Sequence, residues 1–262
     1  MRLLRNLHPN IHRITPLDMN AMIFAAGLGT RLKPLTDHMP KALVPVEGEP
    51  LLAHTLRTLI KSGANEVVVN VHHFAQQIVD YLQAHPVDIP VRISDESDAL
   101  LDTGGGLKKA ASLFTDKAAP ILIHNVDILS NANLGRFYTE HATHDAALLV
   151  SERQTTRYLL FDDDMRLMGW TNVATGEVRT PYSSLDVDKL HRYAFSGIHL
   201  FGQRLAQLMV SWPQKFPIMD FYLSVCHQAD IRGVLQPDLR LLDVGKLDTL
   251  HAAEEFVRTL RA

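Results

Sequence analysis

One cysteine in 262 residues, Cys226, excludes an intramolecular disulfide. It fits a reducing compartment, so a cytoplasmic location is expected and the thiol reads as a small buried hydrophobe, not a nucleophile. No apolar run approaches the ~20 residues of a membrane-spanning helix, and no membrane partner is expected. A surplus of positive charge is missing too: 26 Lys and Arg stand against 29 Asp and Glu, a net charge of −3. That balance does not indicate a strongly basic nucleic-acid surface. Internal repeats and low-complexity segments are absent. The first eighteen residues, MRLLRNLHPNIHRITPLD, hold three arginines but no apolar core, so they are not read as a secretory signal. They remain open as an ordered extension, a disordered arm, or sequence upstream of a true start at Met19.

What is present is ordinary globular material, with 46% apolar and 21% charged residues, enough to bury a core in one large α/β domain. Strand-like and helical patterns alternate through the first half. Ala21–Ala26 reads as a strand, and Leu51–Ser62 as a helix stopped by Gly63. Glu66–Val71 is a second strand, Phe74–Leu82 a helix, Val91–Ser94 a short strand, Leu107–Leu113 a helix and Ile121–Val126 a strand. This order implies parallel pairing with right-handed crossovers, hence a Rossmann-like, mostly parallel sheet flanked by helices. After Asp145 the pattern turns β-rich: Ala146–Val150, Tyr158–Phe161, Met168–Trp170 and Tyr193–Leu200. Asp162-Asp163-Asp164 reads as a hairpin turn. No linker separates two units; the expected organisation is an extension over 1–19 and one domain over 20–262.

Residues 22–46, MIFAAGLGTRLKPLTDHMPKALVPV, concentrate the chemistry. Gly27 and Gly29 follow an apolar strand, where the missing Cβ lets backbone N–H groups close on an anion. Arg31 and Lys41 add two fixed cations, which suit a polyphosphate better than a neutral ligand. The spacing is neither Walker A nor the dinucleotide fingerprint, since Leu32 stands where the latter wants its third glycine. His72-His73 suggests metal at first sight, but neighbours on an extended segment point apart, so a structural role is expected.

Gly27-x-Gly29-Thr30-Arg31-Leu32-x-Pro34-Leu35-Thr36 with Pro40-Lys41-x-Leu43-x-Pro45-Val46 resembles the signature of the sugar-1-phosphate nucleotidyltransferases, from about Asn20 to the C-terminus. The resemblance implies a GT-A-like nucleotidyltransferase fold, with a nucleotide-binding half over about 20–145 and a sugar-phosphate-binding half over about 146–262. It implies transfer of a nucleoside monophosphate from a nucleoside triphosphate to a sugar 1-phosphate, giving an NDP-sugar and pyrophosphate, with Mg²⁺ as cofactor. No C-terminal hexapeptide repeats are present, so the acyltransferase attached to some relatives is not expected.

By the same resemblance, Arg31 would hold the β- and γ-phosphates, and Lys41 would reach the α-phosphate or the incoming sugar phosphate. Asp127, closing Ile121-Leu122-Ile123-His124-Asn125-Val126-Asp127, would ligate the metal, although Val126 replaces the family's Gly or Ala. Asp243, in Leu241-Leu242-Asp243-Val244-Gly245-Lys246, would be the second ligand; the match there holds only over Asp243-Val244-Gly245. Ala26, Gly27, Gly29 and Thr30 would line the phosphates. Thr103, Gly104 and Gly105, in Asp102-Thr103-Gly104-Gly105-Gly106, would approach the base and offer free N–H groups at a helix start. The Thr-Gly-Gly-Gly form looks most like the muramic acid 1-phosphate uridylyltransferase and mannose 1-phosphate guanylyltransferase branches. Asn172, Gly197 and Asp220 are the candidate contacts to the sugar.

UTP is the favoured donor and GTP the runner-up; a cytidylyltransferase acting on a small phosphorylated alcohol shares the same front end. A non-catalytic nucleotide or sugar-phosphate sensor is the alternative from another class. A Rossmann dehydrogenase is disfavoured, because no Gly-x-Gly-x-x-Gly occurs. A homo-oligomer stays open.

Overall fold

The structure, a computed structural model, describes residues 19–261. Expectations attached to residues 1–18 lie outside the described residues. In chain order, β1 (Met19–Phe24) is followed by β2 (Pro45–Val46), β3 (Glu49–Pro50) and α1 (Leu51–Lys61). β4 (Ala64–Val71), α2 (Ala75–Ala84), β5 (Val91–Asp95), α3 (Asp102–Ala110) and β6 (Ile121–Asn125) complete the first half. Then come β7 (Ile128–Ser130), α4 (Leu134–His141), β8 (Ala146–Ser151), β9 (Arg157–Phe161), β10 (Leu167–Asn172), β11 (Glu177–Arg179) and β12 (His191–Phe201). The chain closes with α5 (Gln203–Met209), α6 (Ile218–Val225), β13 (Ile231–Leu235), β14 (Leu241–Asp243) and α7 (Thr249–Arg261).

β1 pairs in parallel with β4 on one side and β6 on the other, and β4 pairs in parallel with β5. β12 lies antiparallel to β6 and carries the sheet onward through β9, β10 and β11. β8 and β13 branch from β12. The result is a mixed sheet flanked by helices, in which strands from both halves of the chain take part.

Side-chain alternation along the strands builds two cores. Ala21 and Ile23 of β1 face a cluster with Leu52, Leu56 and Leu59 of α1, Phe137 of α4 and Val257 of α7. Met22 and Val68 face the opposite way, toward Leu107 of α3, Leu205 of α5 and Phe221 of α6. The central strands are buried on both faces, which is why they read as continuous apolar runs. In α1 the buried leucines recur at helical spacing, and the helix stops where Gly63 adopts φ +99°. Asn133 caps α4, its side chain accepting from the Arg136 N–H at 3.0 Å.

Two differences from the sequence reading bear on the site. α3 begins at Asp102, not Leu107, so Gly104, Gly105 and Gly106 lie inside the helix. The pair β7–β14 is too short to show as a pattern, yet its register sets Asp243 opposite Ile128. The Asp162–Asp164 turn is as expected, with Asp162 Oδ1 accepting from the N–H groups of Asp164 and Arg166.

Candidate active site

β1 and β6 are hydrogen-bonded neighbours running in the same direction, with Phe24 opposite Asn125. Their continuations, Ala25–Ala26 and Val126–Asp127, therefore leave the same edge of the sheet side by side, and the Val126 N–H donates to the Phe24 carbonyl at 3.2 Å. A cavity of about 430 Å³ opens at this edge, lined among others by Ala26, Gly27, Gly29, Thr30, Arg31, Lys41, Thr103, Asp127 and Gly245. Such a crevice beyond the carboxyl ends of parallel strands is where open α/β sheets take ligands.

The loop after β1 is held from below. Thr36 Oγ1 donates to the Gly29 carbonyl at 2.8 Å, and the Leu32 N–H donates to the same oxygen at 2.9 Å. Gly29 has φ +65°, and a Cβ there would sit 2.9 Å from Thr36 Cγ2 and 3.1 Å from Lys41 Cβ. At Gly27, by contrast, nothing stands within 4 Å of where a Cβ would be. Gly29 shapes the turn, whereas Gly27 leaves space on the cavity side.

The acids and cations meet at the mouth. Lys41 is 9% exposed and its Nζ pairs with Asp127 Oδ2. Asp243 is carried alongside by the β7–β14 pairing and by a backbone bond, the Val244 N–H donating to the Asp127 carbonyl at 2.8 Å. Burial first, then the negative charge of Asp127, hold the Asp243 carboxyl above its ordinary pKa, while Lys41, Arg31 and Arg153 oppose that rise. Its Oδ1 is buried without a hydrogen-bond partner. A Cβ on Gly245 would lie 2.7 Å from Asp243 Oδ1 and 3.0 Å from Arg31 Nη2, so the glycine lets carboxylate and guanidinium approach one spot. Two neighbouring carboxylates, one with an oxygen lacking a partner, form a donor set that suits a hard divalent cation completed by water and phosphate oxygens.

The base-side glycines require a correction. Gly104 and Gly105 are buried and direct their N–H groups to the Phe216 carbonyl, at 2.8 and 3.2 Å. A Cβ would lie 2.2 Å from the Phe216 ring at Gly104 and 2.0 Å from the Gln214 carbonyl at Gly105. At these glycines the space a Cβ would fill is taken by the 214–216 segment, and the N–H groups are not free as expected. Thr103 does line the cavity, and its Oγ1 accepts from the Ile218 N–H at 2.9 Å.

Of the sugar-side candidates, Gly197 lies nearest. It has φ +75°, and a Cβ there would come 2.8 Å from Nδ2 of Asn125, which lines the cavity. Asn172 instead builds the β10–β11 turn, its Oδ1 accepting from the Ala174 N–H at 3.1 Å. Asp220 pairs with Arg179 at 2.7 Å. Neither is among the residues lining this cavity. His72 is structural, with Nδ1 2.6 Å from the Glu96 carbonyl.

Sequence reading misses Asn70, Glu96 and Asn125 as cavity residues. Asn70 and Glu96 are buried polar side chains next to apolar strands, a placement that demands partners. The polar residue closing Val67-Val68-Val69 is the available signal.

Comparison with known proteins agrees with this geometry. The family described as "Nucleotidyl transferase" matches residues 20–159, and the chain belongs to that family. N-acetylmuramate alpha-1-phosphate uridylyltransferase of Caulobacter vibrioides is 44% identical over 110 residues, covering 41% of this chain and 45% of the relative. The mannose-1-phosphate guanylyltransferase catalytic subunit beta of Xenopus tropicalis is 28% identical over 144 residues, covering 53% and 40% respectively. The matched segments thus span under half the length of these curated relatives. Among solved structures, HddC from Yersinia pseudotuberculosis complexed with GMP-PN superposes with a TM-score of 0.70 at 19% identity, covering 90% of this chain and 98% of that one. At that identity the likeness is one of fold.

Proposed function

We propose that the chain transfers a nucleoside monophosphate, with UTP the favoured donor, to a sugar 1-phosphate, releasing pyrophosphate and an NDP-sugar. The observation that carries this reading is that Arg31, Lys41 and Asp127 line one cavity, with Asp243 held beside Asp127 and Arg31 next to it. The acceptor phosphate is already a nucleophile, so the chain needs no general base; positioning and charge neutralisation supply the acceleration. The glycine loop leaves room for the triphosphate beside Gly27. Arg31 offsets charge on the departing pyrophosphate, and Lys41, drawn from Asp127, meets the phosphate under attack.

Mg²⁺ would be held by Asp127 and Asp243 and would neutralise charge on the reacting phosphates. The resemblance over 110 residues to a uridylyltransferase favours UTP. The guanylyltransferase relative makes GTP the second reading.

A pyrophosphate-release screen of four nucleoside triphosphates against a panel of sugar 1-phosphates, with Mg²⁺ and with chelator, tests the proposal. Release with UTP that disappears on chelation is the expected result. Turnover only with GTP selects the guanylyl reading, and turnover only with CTP and a non-sugar phosphate selects the phosphorylated-alcohol branch. Silence across the panel contradicts catalysis and leaves the sensor.

A further inference from the structure

Asn70 and Glu96 are 3% and 1% exposed, yet both border the cavity. Their hydrogen bonds run as one chain across its floor. The Ala25 N–H donates to Asn70 Oδ1 at 2.8 Å, Asn70 Nδ2 donates to Glu96 Oε1 at 2.7 Å, and the Leu101 N–H donates to Glu96 Oε2 at 3.1 Å. One end grips the first residue of the glycine loop. The other grips the residue before Asp102 and Thr103, which also line the cavity. Gly106 makes room for the couple: a Cβ there would sit 2.7 Å from Glu96 Oε1 and 3.0 Å from Asn70 Nδ2. Burying a carboxylate is costly, and apolar packing of similar volume would commonly hold two loops as firmly. A polar couple does something packing does not, since it sets the register of two backbone amides at defined lengths and angles.

We infer that Asn70 and Glu96 are positioning residues that fix the spacing between the phosphate-side wall and the base-side wall of the nucleotide cavity. This rests on the proposed nucleotide site and deepens it. A nucleoside triphosphate spans both walls, so its binding depends on their separation, whereas the acceptor phosphate does not need both. The Ala25 amide is consumed by Asn70, so the anion cradle begins beyond it, at Ala26 and Gly27.

The polarity of the chain allows a specific test. Asn70→Asp places two carboxylates face to face, and Glu96→Gln cannot accept from both Asn70 and Leu101. The double variant Asn70→Asp with Glu96→Gln restores every bond with the central donor and acceptor exchanged. The carboxylate introduced at position 70 accepts from the Ala25 N–H and from the amide introduced at position 96. The oxygen of that amide in turn accepts from the Leu101 N–H. Each single variant is expected to raise the KM for nucleoside triphosphate about tenfold or more, with the acceptor KM within about twofold of wild type, as for a lost buried hydrogen bond. The double variant is expected to recover most of the loss. KM for both substrates, nucleotide binding by calorimetry and thermal unfolding should be measured on all four proteins. The inference is overturned if the single variants lower only the unfolding temperature, if both substrates lose equally, or if the double variant is as impaired as the two losses combined. A wild-type protein that binds no nucleoside triphosphate overturns the nucleotide reading itself and this inference with it.

Discussion

Gly27 and Gly105 both belong to short glycine-rich stretches, but a Cβ on the first meets nothing within 4 Å, while a Cβ on the second would sit 2.0 Å from the Gln214 carbonyl oxygen. The 27–31 loop keeps its glycine for open space beside two cations. The 104–106 run uses its glycines for close approach to residues 214–216 and to the Asn70–Glu96 couple. A glycine-rich stretch therefore identifies a place where something approaches the backbone closely, without saying whether that something is a ligand or the protein itself.

The largest effect separating the two regions is expected at Gly105. Gly105→Ala must displace the 214–216 segment and should cost about 3 kcal/mol, lowering the unfolding temperature by roughly 10 °C. An unfolding temperature unchanged from wild type would erase the contrast. Next comes Arg31→Ala on the phosphate side, expected to reduce kcat/KM for the triphosphate about hundredfold, near 2.7 kcal/mol, with stability intact. Equal loss toward the sugar phosphate would remove its assigned role. Gly27→Ala should raise the triphosphate KM about tenfold, near 1.4 kcal/mol, and leave the unfolding temperature within about 1 °C. A destabilised but fully active variant would reverse the comparison.

The smallest effect lies in neither stretch and gives a baseline for loss of global stability. His199 is fully buried against the Tyr222 hydroxyl at 2.7 Å, and burial pushes its pKa from 6.5 down to about 3. The unfolded chain takes up a proton below pH 6.5 that the folded chain refuses. Stability is therefore complete above pH 6.5 and declines as pH falls toward the folded value. Between about pH 7 and about pH 5.5 this site should cost about 1 kcal/mol in urea unfolding. A slope no shallower in His199→Gln would show that other groups carry it.

Much of the first half is legible because its signals are local. Met22–Ala26, Leu51–Ser62 and Glu66–Val71 each carry their period within a few residues, and Arg31 and Lys41 lie close to the glycines they serve. What is not legible depends on distant contacts. Gly104–Gly106 read as a loop because no local pattern announces Phe216 arriving from a remote part of the chain. Asp243 is recognisable only by resemblance, since a three-residue strand pairing with Ile128–Ser130 leaves no periodic trace. Asn70 and Glu96 escape notice because a buried polar pair gains its meaning only once both members are seen together. Asn172 and Asp220 stand out by polarity alone, and polarity is equally served by a turn and an ion pair.

The direct measurement for the account as a whole is Mg²⁺-dependent pyrophosphate release by Asp127→Asn beside wild type, with thermal unfolding of both. A fall of at least about a hundredfold in turnover in a protein that unfolds at nearly the same temperature is predicted, since one proposed metal ligand and the partner of Lys41 are lost together. Undiminished Mg²⁺-dependent turnover by the variant would contradict the claim that these acids and cations act on the reacting phosphates.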